Sequence, residues 1–332
     1  MKICITGSLG LIGSEAVKFY KDHEIVGIDN QQRSKWFGTE RQEAPLQFNY
    51  THSFADIRNY NQLEELFQSH KFDYIIHTAA QPSHDFAAKV PIEDFEVNGL
   101  GTLNLLELTR QYCPEAVFIQ LSTNKVYGNL NIEVKRFQNR FIPPPELVFG
   151  FDEATSIDQT THSLFGVSKT AGDLYAQEYG RYFGIKTGVF RGGCLTGSAH
   201  AGTQLHGFLN YLVKCAKYDL PYCVIGYGGL QVRDNIHAYD VITAFEEFRK
   251  NPRPGEVYNL GGGTHSNCSV LEAIDMCEEL TGRKMNVTFN DTPRVGDHKW
   301  YVSDMTKFRS HYSNWEYTYN IKQIIKEIYD NV

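Results

Sequence analysis

The sequence contains no run of about eighteen consecutive apolar residues, which excludes a membrane-spanning helix of ordinary length. It has no C-x-x-C pair either. Its seven Cys, at positions 4, 113, 194, 215, 223, 268 and 277, fit reduced thiols in the cytoplasm better than a disulfide framework or a zinc site. Positive charge is not in excess: 32 Lys and Arg stand against 39 Asp and Glu, for a net charge of -7. Nucleic acids and acidic membranes select for clustered Lys and Arg, so neither is an expected partner. A few local Arg would still hold an anionic small molecule. The 12 His show no metal-ligand spacing, no metal is expected, and internal repeats and low-complexity tracts are missing.

What is present is a regular alternation over 332 residues, enough for one large domain or two closely joined ones. "KICITG", "EIVGID", "YIIHTAA", "VFIQLST" and "KTGVFR" read as strands. "SEAVKFYKDH", "NQLEELFQSH" and "GTLNLLELTRQY", lying between them, carry apolar residues at helical spacing. The opening "MKICITGSLGLIG" has the apolar character of a signal peptide, but its spaced Gly and charged continuation favour a buried strand and helix. Strand then helix, repeated, predicts an α/β protein: a Rossmann-type doubly wound parallel sheet over 1–190. A smaller mixed α/β cap over 191–332 is expected to carry the substrate, with some exchange of chain between the two. Residues 128–160, with three consecutive Pro and several aromatics, read as one long functional or mobile loop within the first domain.

"TGSLGLIG" places Gly7, Gly10 and Gly13 between the first strand and the first helix, which opens with Leu11 and Ile12. Glycine there permits a tight turn and lets a pyrophosphate reach the helix N-terminus, where free N–H groups favour anions. The second strand ends in Asp29 followed by Asn30, a carboxylate placed to accept hydrogen bonds from a ribose diol. It would repel a 2'-phosphate, so NAD is favoured over NADP, a preference tempered by Arg33. Asp56 and Ile57, after a third strand, suit the adenine. Ala79, Ala80 and Gln81 close the fourth strand beside the cofactor. A solvated turn explains Asp56 almost as well.

"FEVNGLGTLNLLE", "STNKVYG", "GVSK", "QVRDNIHAYDV" and "PRVGDH" follow in order. With the glycine turn they make the chain resemble the extended short-chain dehydrogenase/reductase family of nucleotide-sugar epimerases and dehydratases, nearly end to end. Within it the chain is most similar to the CDP-paratose (tyvelose) 2-epimerases. The resemblance adds Asn98 to the cofactor side and implies a homodimer in polysaccharide biosynthesis, packed through the helices around 101–112 and 165–183. Tyr175, Tyr179 and Tyr182 at helical spacing on the second read equally as internal core.

In such enzymes a Tyr phenolate takes a sugar hydroxyl proton, NAD takes the hydride, and a Lys four residues on lowers the Tyr pKa and holds the nicotinamide ribose. Positions i and i+4 share a helix face, which gives that spacing its reason. Lys169 matches the Lys, Thr123 matches the Ser/Thr that hydrogen-bonds the reacting hydroxyl, and Phe165 stands where the Tyr belongs. A phenyl ring carries no proton. Related dehydratases follow the Thr with Asp and Glu; here Asn124 and Lys125 follow, which argues against dehydration. Lys125, partly desolvated beside Lys169, could shed a proton as a base must, or could instead contact a phosphate. Tyr127 is a second candidate phenol or a packing residue. "HSL" before Phe165, where the family often has Ser-Pro, favours a native Phe over one introduced to trap a substrate.

For the substrate, the resemblance assigns the pyrophosphate to Arg233 and Arg294, whose planar forks suit phosphate oxygens. Either alone would also serve as an ion pair with Asp234 or Asp297. Cys194 falls where relatives contact sugar or phosphate, or is a buried thiol; His206 and Phe208 begin a helix at the nucleotide. His84, in the loop "QPSHDF", should approach the nicotinamide end, or be solvated. Three functions remain open: an NAD-dependent epimerase of a nucleotide-diphosphate sugar, a net oxidoreductase releasing a keto-sugar, and a silent NAD and sugar-nucleotide binder.

Overall fold

A computed structural model describes residues 1–38, 49–199, 207–293 and 297–332. The chain forms two compact units. One comprises Met1–Val126, His162–Arg191 and Ile242–Tyr258; the other comprises Tyr127–Thr161, Gly192–Val241 and Asn259–Val332. The segment 128–160, expected in the first domain, thus lies in the second unit.

The first unit is built on β1 (Lys2–Thr6), β2 (Glu24–Ile28), β3 (Tyr50–Ser53), β4 (Tyr74–His77) and β5 (Val117–Thr123). These pair in parallel in the spatial order β5-β4-β1-β2-β3. Two later strands, Lys186–Gly192 and then Glu256–Leu260, extend the sheet beyond β5 to seven. Ile3, Cys4 and Ile5 are all 0% exposed although their side chains alternate between faces, so the sheet is covered on both sides. The helices that alternate with the strands up to Lys186 are α1 (Leu11–Phe19), α2 (Gln32–Phe37), α3 (Tyr60–His70), α4 (His84–Ala87), α5 (Pro91–Phe95), α6 (Gly101–Tyr112) and α7 (Ser163–Phe183). Leu63 and Phe67 of α3, Leu105 and Leu108 of α6, and Ala176 and Tyr179 of α7 share one core with Cys4, Val26, Ile75 and Phe118 of the sheet. Each fully buried Leu or Phe there contributes about 2 kcal/mol.

Local sequence explains the element ends. Asn59 caps α3 by accepting from the Gln62 N–H at 3.2 Å, and Gly184 closes α7 at a φ of 72°. Between α5 and α6 the chain widens into a π-helical turn, Glu96–Leu100, which carries Asn98 into the interior.

The second unit has a parallel pair, Tyr222–Ile225 with Val287–Asn290, and a four-stranded sheet centred on Val232–His237. Its helices Phe208–Tyr218, Val270–Thr281 and Ile321–Asn331 enclose a core of Leu212, Val213, Ala273, Ile274, Ile324 and Ile328. The last two begin with reciprocal side-chain caps, Ser269 with Glu272 and Asn320 with Gln323. The segment expected as one long loop contains an antiparallel hairpin, Lys135–Phe137 with Arg140–Ile142, and a short turn at Pro145–Leu147. Three-residue strands fall below what alternation in a sequence can signal.

Candidate active site

Strand order reverses at β1, whose neighbours β2 and β4 connect in opposite directions, and a crevice beyond the carboxyl ends of strands forms at such a switch point. The glycine turn fills that place. Gly7 has a φ of 69°, and a Cβ on it would lie 2.8 Å from the Ala79 nitrogen at the end of β4. A Cβ on Gly13 would lie 2.0 Å from the Gly7 carbonyl oxygen. The turn therefore packs too tightly for side chains. Gly10 caps α1 without any side-chain hydrogen bond, so the first N–H groups of α1 remain available to an anion. Leu11 is half-buried and Ile12 buried in that first turn.

Asp29 accepts from the Leu9 N–H at 3.1 Å and the Gln31 N–H at 2.7 Å, which fixes its carboxylate beside the turn. The Asn30 amide donates to Asp56 at 2.9 Å. Burial works to raise the Asp56 carboxyl, but hydrogen bonds from the Arg58 side chain and backbone outweigh it and hold the group below its ordinary value. Arg58, which the sequence reading did not single out, also reaches Glu93 at 3.3 Å. Ile57 is buried against Gly101. Arg33, in α2, is half-buried, and burial lowers its guanidinium pKa.

At the end of β4, Ala79 and Ala80 stay half-buried while the Gln81 side chain turns inward. Its amide donates to Asp94 at 2.7 Å, and the Asn98 amide donates to the Gln81 carbonyl at 3.0 Å and to Ser168 at 3.1 Å. These two predicted cofactor residues thus tie β4 to the π-helical turn and to α7. His77, also unanticipated, lies between the hydroxyls of Thr6 at 2.7 Å and Thr102 at 3.0 Å. Burial, helped by the Lys169 charge, pulls its pKa down to about 3, so it stands there neutral.

Thr123 ends β5, and its hydroxyl accepts from the Lys125 N–H at 3.3 Å. Asn124 is buried next to it; Lys125 is half-buried. The Lys125 carbonyl oxygen is 2.8 Å from where a Cβ of Gly166 would sit, so the turn after β5 and the first turn of α7 meet closely. Lys169, 5% exposed, donates from Nζ to the Leu121 carbonyl at 2.7 Å. Burial lowers its pKa to about 8, against the pull of Asp173 and Asp94. Phe165, one turn earlier, is buried, its ring 4.9 Å from that of His84.

Tyr127 is fully buried and its hydroxyl donates to Asn259 at 2.7 Å, a packing arrangement. In the second unit Arg233 donates to Asp297 at 2.5 Å and to the His298 carbonyl, while Asp234 is buried and accepts from the Ser303 N–H at 3.0 Å. Cys194 is half-buried opposite Asn235, and Phe208 is the first residue of its helix. His206 and Arg294 lie outside the described residues. Among the described residues no group of His, Cys, Asp and Glu could hold a metal, and no helix is long and apolar enough to cross a membrane.

A glycine turn at a strand-order reversal, a carboxylate fixed beside it and a buried low-pKa Lys are features of a dinucleotide-binding α/β fold. A family described as "NAD dependent epimerase/dehydratase family" matches residues 3–261. The CDP-paratose 2-epimerase of Salmonella typhi is 32% identical, covering 99% of this chain and 98% of the relative. The UDP-glucose 4-epimerase of Thermotoga maritima, solved with UDP-glucose, superposes with a TM-score of 0.80 at 23% identity over 100% of this chain and 98% of that one. For the Thermus thermophilus UDP-glucose 4-epimerase in complex with NAD the values are 0.79, 24%, 100% and 98%. The chain belongs to the NAD-dependent epimerase/dehydratase family, and NAD is its cofactor.

Proposed function

We propose that the protein is an epimerase of a nucleotide-diphosphate sugar, acting at C2 of a CDP-linked sugar by transient oxidation. The observation that carries this reading is Lys169, buried, held by the Leu121 carbonyl and shifted to a pKa of about 8, one helical turn from Phe165 at the carboxyl end of β5. Bound NAD would supply a reversible hydride acceptor. The Gly7–Gly13 turn and α1 would hold its pyrophosphate, and Asp29 its adenosine ribose. Lys169 would hold the nicotinamide ribose, and Thr123 would hydrogen-bond the reacting hydroxyl. Similarity to a CDP-paratose 2-epimerase along the whole chain supports the sugar nucleotide and the carbon. Arg233 would add a cation near the diphosphate, and Asn124 and Lys125, in place of an acid and a base, disfavour dehydration. The cytoplasm, where nucleotide sugars are made and consumed, is the proposed location.

The test is incubation of the protein and NAD with CDP-paratose or its C2 epimer, following sugar configuration by proton NMR and reduced nicotinamide by near-ultraviolet absorbance. Interconversion without accumulating NADH is expected. Stoichiometric NADH would instead make the protein a net oxidoreductase, and no conversion of any CDP-sugar would make it a silent binder.

A homodimer is proposed as well. Tyr179 of α7 is buried in the core, but Leu164, Val167, Leu174, Tyr175, Tyr182 and Phe183 are exposed on the same helix. An apolar stripe of this length is characteristic of a contact surface. Sedimentation should give a dimer for the native chain and a monomer for a Leu174→Glu/Tyr175→Glu variant with unchanged far-ultraviolet circular dichroism. A native monomer would contradict this.

A further inference from the structure

The missing phenol leaves the proton of the sugar hydroxyl to another group, and the structure places the His84 imidazole against the ring that replaces the phenol. The His84 imidazole meets the Phe165 ring edge to face, with centroids 4.9 Å apart and planes at 61°. Its Nδ1 lies 2.9 Å from the hydroxyl of Ser163, the first residue of α7. Ser163 has a φ of 64°, a left-handed backbone that a Gly would adopt freely and a Ser adopts at a cost. That conformation lets its hydroxyl accept from the Gly166 N–H at 3.3 Å while meeting His84. Ser83 fixes the other side of the imidazole's helix by accepting from the Phe86 N–H at 3.3 Å. His84 follows β4, Thr123 ends β5, and α7 bears Phe165 and Lys169, so the pair sits among the residues assigned to hydride transfer.

Resting on the epimerase reading, we propose that His84, oriented by Ser163, takes the proton from the sugar hydroxyl in place of a tyrosine phenol. In this arrangement Nδ1–H donates to Ser163 Oγ, and the lone pair on Nε2 accepts the hydroxyl proton. Bound NAD would supply the hydride acceptor as the O–H bond gives its proton to Nε2 and the C=O bond forms. When the hydride is returned to the opposite face of the carbonyl, Nε2 would give the proton back, so protons and electrons balance over the cycle. Ser163 is a positioning residue and His84 the catalytic one.

His84→Gln, assayed with NAD and a CDP-sugar, should lose about a hundredfold or more in kcat while NAD affinity stays within about threefold. Phe165→Tyr introduced into that variant should recover at least about tenfold, because it puts a phenol one turn from Lys169. Retention of kcat within about threefold in His84→Gln, or a loss that Phe165→Tyr does not repair, would overturn the proposal. Nitrogen-15 NMR of the imidazole supplies a readout independent of turnover. The native protein with NAD should show Nε2 unprotonated at neutral pH, and Ser163→Ala should move the proton from Nδ1 to Nε2. A native Nε2–H tautomer would sink the proposal even if the protein converts no CDP-sugar, the outcome that refutes the epimerase reading itself.

Discussion

Lys169→Met is expected to lower kcat about a thousandfold while making the protein more stable. A buried ammonium is costly, and its folded-state pKa of about 8 against an ordinary 10.5 measures that cost at about 3 kcal/mol below pH 8. Losing the Nζ hydrogen bond to the Leu121 carbonyl offsets about 2 kcal/mol of the relief, which leaves a net gain of about 1 kcal/mol. The sign with pH follows from the depressed value. Between pH 8 and 10.5 the unfolded chain keeps a proton on Lys169 that the folded chain has released, so this group makes stability rise across that window. Chemical denaturation of both proteins across the window should show the rise in the native protein relative to the variant. A variant that is both fully active and less stable would contradict the role given to Lys169.

Asp29→Ser should weaken NAD binding about a hundredfold and narrow the preference over NADP. The carboxylate holds the Leu9 and Gln31 N–H groups, so the substitution loosens the turn as well as removing the acceptor proposed for the ribose diol. It also removes the charge that a 2'-phosphate would meet, with Arg33 in the next helix. Calorimetric titration with NAD and NADP reads both effects; NAD affinity within about threefold of the native value would refute the placement of the adenosine ribose.

The strand–turn–helix geometry of the candidate dinucleotide site is legible in the sequence because its signals are local. Gly7, Gly10, Gly13 and Asp29 lie on one strand–turn–helix–strand unit, and their spacing carries the geometry directly. Lys169 is singled out in the sequence by resemblance to the family's "GVSK" segment, and its burial and its hydrogen bond to the Leu121 carbonyl appear only in the fold. What the sequence hid depends on contacts between distant residues: His84 with Ser163, 79 positions apart, and His77 with Thr6, 71 apart. Arg58 escaped notice because a single Arg after a strand has no pattern of its own, although it sets the charge of Asp56. The amides of Gln81 and Asn98, both expected on the cofactor side, meet Asp94 and each other's segments, contacts that no spacing rule conveys. The hairpin at Lys135–Ile142 leaves no mark in the sequence because its strands are too short to show alternation.

The central claim is that a carbinol carbon of the sugar is oxidised and reduced again within one binding event. A CDP-sugar deuterated at C2, converted by the protein with unlabelled NAD, should yield the C2 epimer with its deuterium retained and no net NADH. Deuterium lost to water, or carried away on nicotinamide, would contradict the account.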